Sequence, residues 1–121
     1  GDFKPGNTLL VGDRYSALLD WETAHPGDPL EDLGWMTNPV RAREQQIAGH
    51  WERAEMVAAF ERLTGWRVDP FALTWWNVFA NWKLAAIVLS GVEAFAHGTL
   101  DRVYHAPSFL YQNMFDMLEA A

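Results

Sequence analysis

The chain has 121 residues, 50% of them hydrophobic and 21% charged, which is one domain's worth of sequence with roughly two-thirds of its unfolded surface available for burial. Nine Lys and Arg against 16 Asp and Glu leave a net charge of −7. No basic stripe can neutralise a phosphate backbone, which argues against nucleic-acid binding, while an acidic surface would tolerate a cationic substrate. Cysteine is absent, which excludes a disulfide framework, a zinc knuckle and a thiol nucleophile and fits a reducing compartment, with the cytoplasm as the expected location.

Gly1-Asp2-Phe3-Lys4 lacks the charged-then-apolar layout of a signal peptide. The most apolar run, Leu84 to Val92, is nine residues between Lys83 and Glu93, short of the ~20 needed to span a bilayer, so no membrane role is expected.

In chain order, Thr8-Leu9-Leu10-Val11 reads as a strand, Gly12-Asp13-Arg14 as a turn, and Tyr15-Ser16-Ala17-Leu18-Leu19 as a second strand with Asp20 at its exit. Asp28-Pro29-Leu30-Glu31 predicts a helix start, with Asp28 as cap, Pro29 at the first position and Glu31 where a capping-box acid reaches back. That helix should run to about Thr37, before Asn38-Pro39. A second is predicted from Trp51 to Thr64, with Met56, Val57, Phe60 and Leu63 on one side and Gly65 as terminator. Asp69-Pro70 opens the longest helix, to about His97, closed by Gly98. Its Trp75, Val78, Phe79, Trp82, Ala86 and Leu89 recur at helical spacing, and the apolar character of its other face predicts a central helix covered on several sides. A last helix from Pro107 carries Leu110, Met114, Met117 and Leu118. The expectation is a mainly α domain fronted by one hairpin.

Chemistry concentrates in the first thirty residues. Pro5-Gly6 between Asp2 and Asn7 disfavours a continuous helix and predicts a tight loop. The hairpin then returns the chain, so Asp20 can approach Asn7. An Asp carboxylate and an Asn carbonyl oxygen are hard ligands of the type Mg²⁺ accepts beside phosphate and water. A further Asp could take a proton from a substrate hydroxyl, and Lys4 would place a positive charge beside a phosphate. Read without regard to their order, the same residues are ordinary turn and cap residues.

Their order carries a resemblance. Gly1-Asp2-Phe3-Lys4-Pro5-Gly6-Asn7, then Leu18-Leu19-Asp20-Trp21-Glu22, then Gly27-Asp28-Pro29-Leu30-Glu31-Asp32-Leu33-Gly34-Trp35, resembles the aminoglycoside phosphotransferase-like small-molecule kinases, which have the protein-kinase fold. Trp82-Lys83-Leu84-Ala85-Ala86-Ile87 and Gly91 are similar to the branch fused to acyl-CoA dehydrogenases. The resemblance implies a Mg²⁺-dependent transfer of the ATP (or GTP) γ-phosphoryl to a hydroxyl of a small molecule. By matching position, it implies that Asp2 is the catalytic-loop aspartate and that Asn7 and Asp20 hold the nucleotide's Mg²⁺. It further implies that Lys4 touches the transferred phosphoryl group and that Asp32 is the buried aspartate accepting hydrogen bonds from the catalytic-loop backbone. Glu22 would bind metal or pair with a cation.

The family's loop His, glycine-rich loop and nucleotide lysine would all precede Gly1. The resemblance therefore reads residues 1–121 as one partial domain: the helical carboxy-terminal lobe, inactive alone, of a kinase whose amino-terminal lobe is absent. A rival expectation is a non-catalytic helical binding or assembly module, with a homodimer or the missing lobe covering exposed apolar surface.

Other residues receive structural readings. Trp75, Trp76, Phe79 and Trp82 are expected to fill a core, while Trp35 and Trp51 are candidates to line an acceptor pocket. His25, His50, His97 and His105 show no zinc-ligand spacing, and Ser16, Ser90 and Ser108 lack a nucleophile context.

Overall fold

The computed structural model describes residues 1–101 and 108–120. The expected helix start at Pro107 and His105 lie outside them.

Strands β1 (Thr8–Val11) and β2 (Arg14–Leu18) pair antiparallel, Thr8 with Leu18 and Leu9 with Ala17. A bulge between Leu9 and Leu10 then shifts the register to Leu10–Tyr15 and Val11–Arg14. Arg14 thus belongs to the strand, and the turn shrinks to Gly12-Asp13. Gly12 takes φ 63° while Asp13 does not go positive, the pattern of a type II′ hairpin turn.

Helix α1 spans Pro29–Met36, α2 Ala42–Gln45, α3 Arg53–Thr64, α4 Pro70–Ala96 and α5 Ser108–Glu119. The Asp-Pro starts work as read: Asp28 Oδ1 accepts from the Leu30 amide at 2.8 Å and Asp69 Oδ1 from the Phe71 amide at 3.0 Å. Glu31 closes no capping box, because its carboxylate is taken by His25 and Lys83. The capping box lies instead at α3, between Glu52 and Glu55, and starts that helix two residues later than expected. A short turn (Pro39–Arg41) runs straight into α2, a pair of elements that the sequence reading left out.

The apolar core sits where α1, α3 and the start of α4 meet. Leu33, Met56 and Leu73 are buried there, with Leu30, Met36, Val57, Phe60 and Val68 packed around them. Leu63, expected on the same face, is exposed.

The core role expected of the α4 aromatics fails for Trp75 and Trp82, while Trp76 and Phe79 are partly buried. The buried residues of this helix are Leu73, Asn77, Ala80, Asn81 and Ala85, while Trp75, Trp82 and Leu89 stand about half exposed. Trp75, Phe79 and Trp82 stack along the outer face, with ring centroids 5.7 and 5.5 Å apart. The reason is the closeness of the α1–α4 crossing. A Cβ on Gly34 would lie 2.5 Å from Trp76 Cβ and 2.9 Å from its carbonyl carbon, and beyond Leu73 the inner face is taken by the small or hydrogen-bonding Asn77, Ala80, Asn81 and Ala85.

At this crossing Asn77 donates to the Gly34 carbonyl (2.6 Å) and accepts from Arg53 (2.6 Å). Asn38 donates to Asn81 (2.7 Å), which in turn donates to Asn113 of α5 (2.8 Å). Buried amides thus tie α1, α3, α4 and α5 into one lattice, each polar group finding a partner that offsets its desolvation. By length and composition α4, at 27 residues, could cross a membrane, an 18-residue window of it having mean hydropathy 1.4, which the nine-residue run alone did not indicate. In this structure the buried amides and the Lys83–Glu31 pair (3.3 Å) account for the inner face as a scaffold for α1.

Candidate active site

The loop before β1 folds as a single turn over Pro5–Asn7. One further backbone bond, from the Leu19 amide to the Asn7 carbonyl at 2.8 Å, continues the hairpin past its last strand pair and delivers Asp20 to Asn7. Asp20 then reverses the chain with φ 63° and ψ 57°, a left-handed conformation that Asp tolerates better than most residues. The Asn7 side-chain nitrogen donates to the Asp2 carbonyl (2.9 Å), to Asp2 Oδ2 (3.2 Å) and, at a longer 3.4 Å, to Asp20 Oδ2. The three residues singled out from the sequence are therefore neighbours.

They line a cavity of about 390 Å³ with Gly1, Phe3, Leu18, Leu19, Trp21, His25, Asp32 and Met36. Its lining is mostly apolar, with the carboxylates of Asp2, Asp20 and Asp32 among it, as suits a small ligand with few polar groups. Neither Trp35 nor Trp51 lines this cavity. Trp21 does, its indole nitrogen donating to the Leu18 carbonyl at 2.8 Å.

Asp2 is the most heavily bonded carboxylate of the site. Lys4 Nζ sits 2.6 Å from Oδ2, the Trp35 indole nitrogen donates to Oδ1 at 3.0 Å, and Arg41 lies 3.6 Å from Oδ1. Partial burial pushes the Asp2 carboxyl up, but the Lys4 hydrogen bond, the Lys4 and Arg41 charges and the Trp35 hydrogen bond together outweigh it. The result is a carboxyl held below its ordinary value of 3.8. Lys4 faces Asp2 and is half-buried, so it is no freely solvated surface lysine.

Asp32 departs from its expected burial. Its side chain is 55% exposed, because α1 turns Leu33, Gly34 and Trp35 inward and leaves Asp32 at the cavity rim. Its carboxylate pairs with the terminal ammonium of Gly1, an ion pair rather than the loop-backbone hydrogen bonds expected of it. Two further contacts hold that loop. Gln45 donates to the Phe3 carbonyl at 3.1 Å, and Lys83 reaches the Gly1 carbonyl at 3.5 Å. Gly1 itself passes so close to Thr23 that a Cβ would meet the threonine carbonyl oxygen at 2.8 Å.

At the rim, His25 bonds the Thr23 carbonyl and the Glu31 carboxylate, each at 2.9 Å. The Thr23 bond and then the Glu31 bond and charge raise its pKa above the ordinary 6.5. Glu22 is exposed and pairs with no cation among the described residues. Among them, too, no group of three or more His, Asp or Glu side chains gathers.

The donor set fits Mg²⁺ in its chemistry. Asn7 and Asp20 are neighbouring side chains that each carry a hard oxygen. Here Asn7 turns its amide nitrogen toward Asp2 and Asp20, so holding an ion would require the amide to turn Oδ1 to that side. Among the described residues no cation competes for Asp20. Two protein oxygens suit an ion that keeps several waters and takes its other ligands from phosphate.

Sequence reasoning missed Trp35, Arg41 and Gln45 as supports of Asp2 and its loop. For Trp35 a signal was present: a tryptophan on the inner face of α1 must find an acceptor for its N–H when buried.

A family model described as a phosphotransferase enzyme family matches residues 1–76 of the chain. That span takes in the loop, the hairpin, the core helices α1 and α3 and the first turns of α4. No curated protein and no solved structure matches.

Proposed function

The chain belongs to the phosphotransferase enzyme family, and on that premise we propose that the protein moves the γ-phosphoryl group of ATP to a hydroxyl of a small molecule, with Mg²⁺. The observation that carries this reading is the meeting of Asp2, Asn7 and Asp20 at one cavity, from positions separated by a whole hairpin.

In this mechanism the acceptor hydroxyl approaches Asp2 Oδ2, on the side of the carboxylate that Asn7 also approaches. The hydroxyl oxygen forms its bond to the γ-phosphorus while the bond from that phosphorus to the bridging oxygen of ADP breaks, and ADP leaves with the electron pair. Asp2 orients the hydroxyl and takes its proton. Held below its ordinary value, Asp2 is anionic at neutral pH but a weak base, so orienting the hydroxyl is its larger task. Lys4, which pairs with Asp2, would steady the moving phosphoryl group. Asn7 and Asp20 would hold Mg²⁺, which when bound neutralises phosphate charge. Asp32 supports the loop through Gly1. Rate enhancement would come from positioning and charge, without a covalent enzyme intermediate. The acceptor is a small molecule, with no nucleic acid involved, in keeping with the net charge of −7.

A second reading, an assembly module without catalysis, is favoured by the apolar residues left exposed. Leu10, Val11 and Tyr15 on the hairpin and Trp75, Trp82 and Phe95 on α4 are open to solvent, a surface that a second copy or another lobe would cover.

One titration separates the two. Mg·ATP binding is measured with the full-length protein and its Asp20→Asn variant. Asn tolerates the left-handed backbone, and an exposed substitution should leave stability within about 0.5 kcal/mol. Metal-dependent binding in the wild type, lost in the variant, is the expected result. Absence of binding in the wild type, with self-association in sedimentation, would transfer support to the assembly module.

A further inference from the structure

Trp35 is 3% exposed, yet it carries one polar group, and that group is spent on a residue 33 positions away. Its indole N–H donates to Asp2 Oδ1 at 3.0 Å. A buried tryptophan has no other donor, and its ring has only two side-chain torsions to lose. The donor is therefore placed by α1, which the Gly34–Trp76 contact and the Asn77 bond pin to α4. Two cations attend the same ring. The Arg41 guanidinium carbon lies 4.1 Å from its centroid and Lys83 Nζ lies 5.2 Å from it. Arg41 is itself 7% exposed and is held by Glu44 at 2.7 Å. A cation over an indole draws electron density from the ring, and within a low-dielectric interior this strengthens the N–H as a donor.

We propose that Trp35, with Arg41 stacked on it, is the positioning residue for Asp2. It engages Oδ1 from behind, stops the carboxylate rotating, and presents Oδ2 on the Asn7 side of the cavity. The kinetic consequence rests on the phosphotransferase reading, whereas the bond itself does not. A ring present only as packing would be replaced by phenylalanine at little catalytic cost, because phenylalanine keeps the apolar body and loses only the N–H.

The test has two arms on the full-length protein. In the first, Trp35→Phe is assayed with Mg·ATP and water as acceptor. Losing a hydrogen bond to a charged group should lower kcat about ten- to a hundredfold, with the KM for ATP unchanged. In the second, the Trp35 indole N–H resonance is followed by NMR in the wild type and in Asp2→Asn. It should move upfield in the variant by more than the indole resonance of any other tryptophan. An unchanged kcat, a change confined to KM, or an indole resonance indifferent to Asp2→Asn would overturn the proposal. Should Trp35→Phe fail to fold, Arg41→Met takes its place. Removing the charge while keeping the stem should move the same resonance upfield and lower kcat, and no movement would count against the proposal. A wild type that neither binds Mg·ATP nor turns it over sinks the phosphotransferase reading, and the NMR arm still decides whether Trp35 holds Asp2.

Discussion

Residues 1–24 contain no buried residue, and the hairpin's Leu9, Leu10, Val11 and Tyr15 face outward. The crossing of α1 and α4 is the reverse, with Leu33, Trp35, Thr37, Leu73, Asn77, Ala80 and Asn81 all buried. Yet every chemical group of the candidate site except Asp32 belongs to the first region. The loop cannot be held in place by packing of its own, and it is not. Trp35, Arg41, Gln45 and Lys83 reach it from the helical region and bond Asp2 or the backbone beside it. Precision in the site is thus borrowed from the crossing through a handful of polar contacts, a division of labour suited to a loop that must stay open to substrate.

The comparison can be broken most forcefully at its rigid side. Gly34→Ala drives a methyl into the Trp76 backbone and Cβ, and the expected cost is about 3 kcal/mol, read from the midpoint of a urea unfolding curve. An unshifted midpoint would mean that the two helices can part without penalty. Asn77→Ala comes next, at about 2 kcal/mol by the same measurement. It strips partners from the Gly34 carbonyl and the Thr37 hydroxyl and leaves the half-buried Arg53 without its closest acceptor.

The smallest effect belongs to the exposed side and is a matter of sign. The folded protein holds Asp2 below its ordinary 3.8, so the native state favours the carboxylate. Asp2 therefore contributes stability that is fully present above that value and is lost as pH falls through the lower folded one. Thermal melts of the wild type and Asp2→Asn should accordingly differ at neutral pH and converge in strong acid. A gap that persists in acid would show that the contribution of Asp2 to folding does not depend on its charge.

Much of this molecule was legible in local chemistry. Asp28-Pro29 and Asp69-Pro70 gave helix starts to the residue, because a cap and a fixed φ act within one turn and need no tertiary context. Asp2, Asn7 and Asp20 were legible as a set because their order carried a family pattern, and the hairpin between them could be read from a glycine turn between two apolar runs. The inner face of α4 was not. Helical periodicity selects large apolar residues, and at a close crossing the inward positions go to Ala80, Ala85 and the two asparagines while the indoles are displaced outward. The supports of Asp2 escaped for a related reason. Each is a single long-range hydrogen bond, Trp35 at a separation of 33 and Gln45 at 42, and no spacing rule marks such a pair. The Asp32 position was found but its exposure was not, since a motif specifies a neighbour and says nothing of solvent.

The buried residues of α4 all lie between Leu73 and Ala85, although the helix continues for eleven more residues to Ala96. The two parts therefore keep different time. Amides within the crossing should exchange their hydrogens only when the whole domain opens, whereas those from Ala86 onward, where no residue is fully buried, should need only a local unwinding, which costs less. A single unbroken helix should thus pass from slower to faster exchange after Ala85, beside the last buried contact rather than at any cap, proline or glycine.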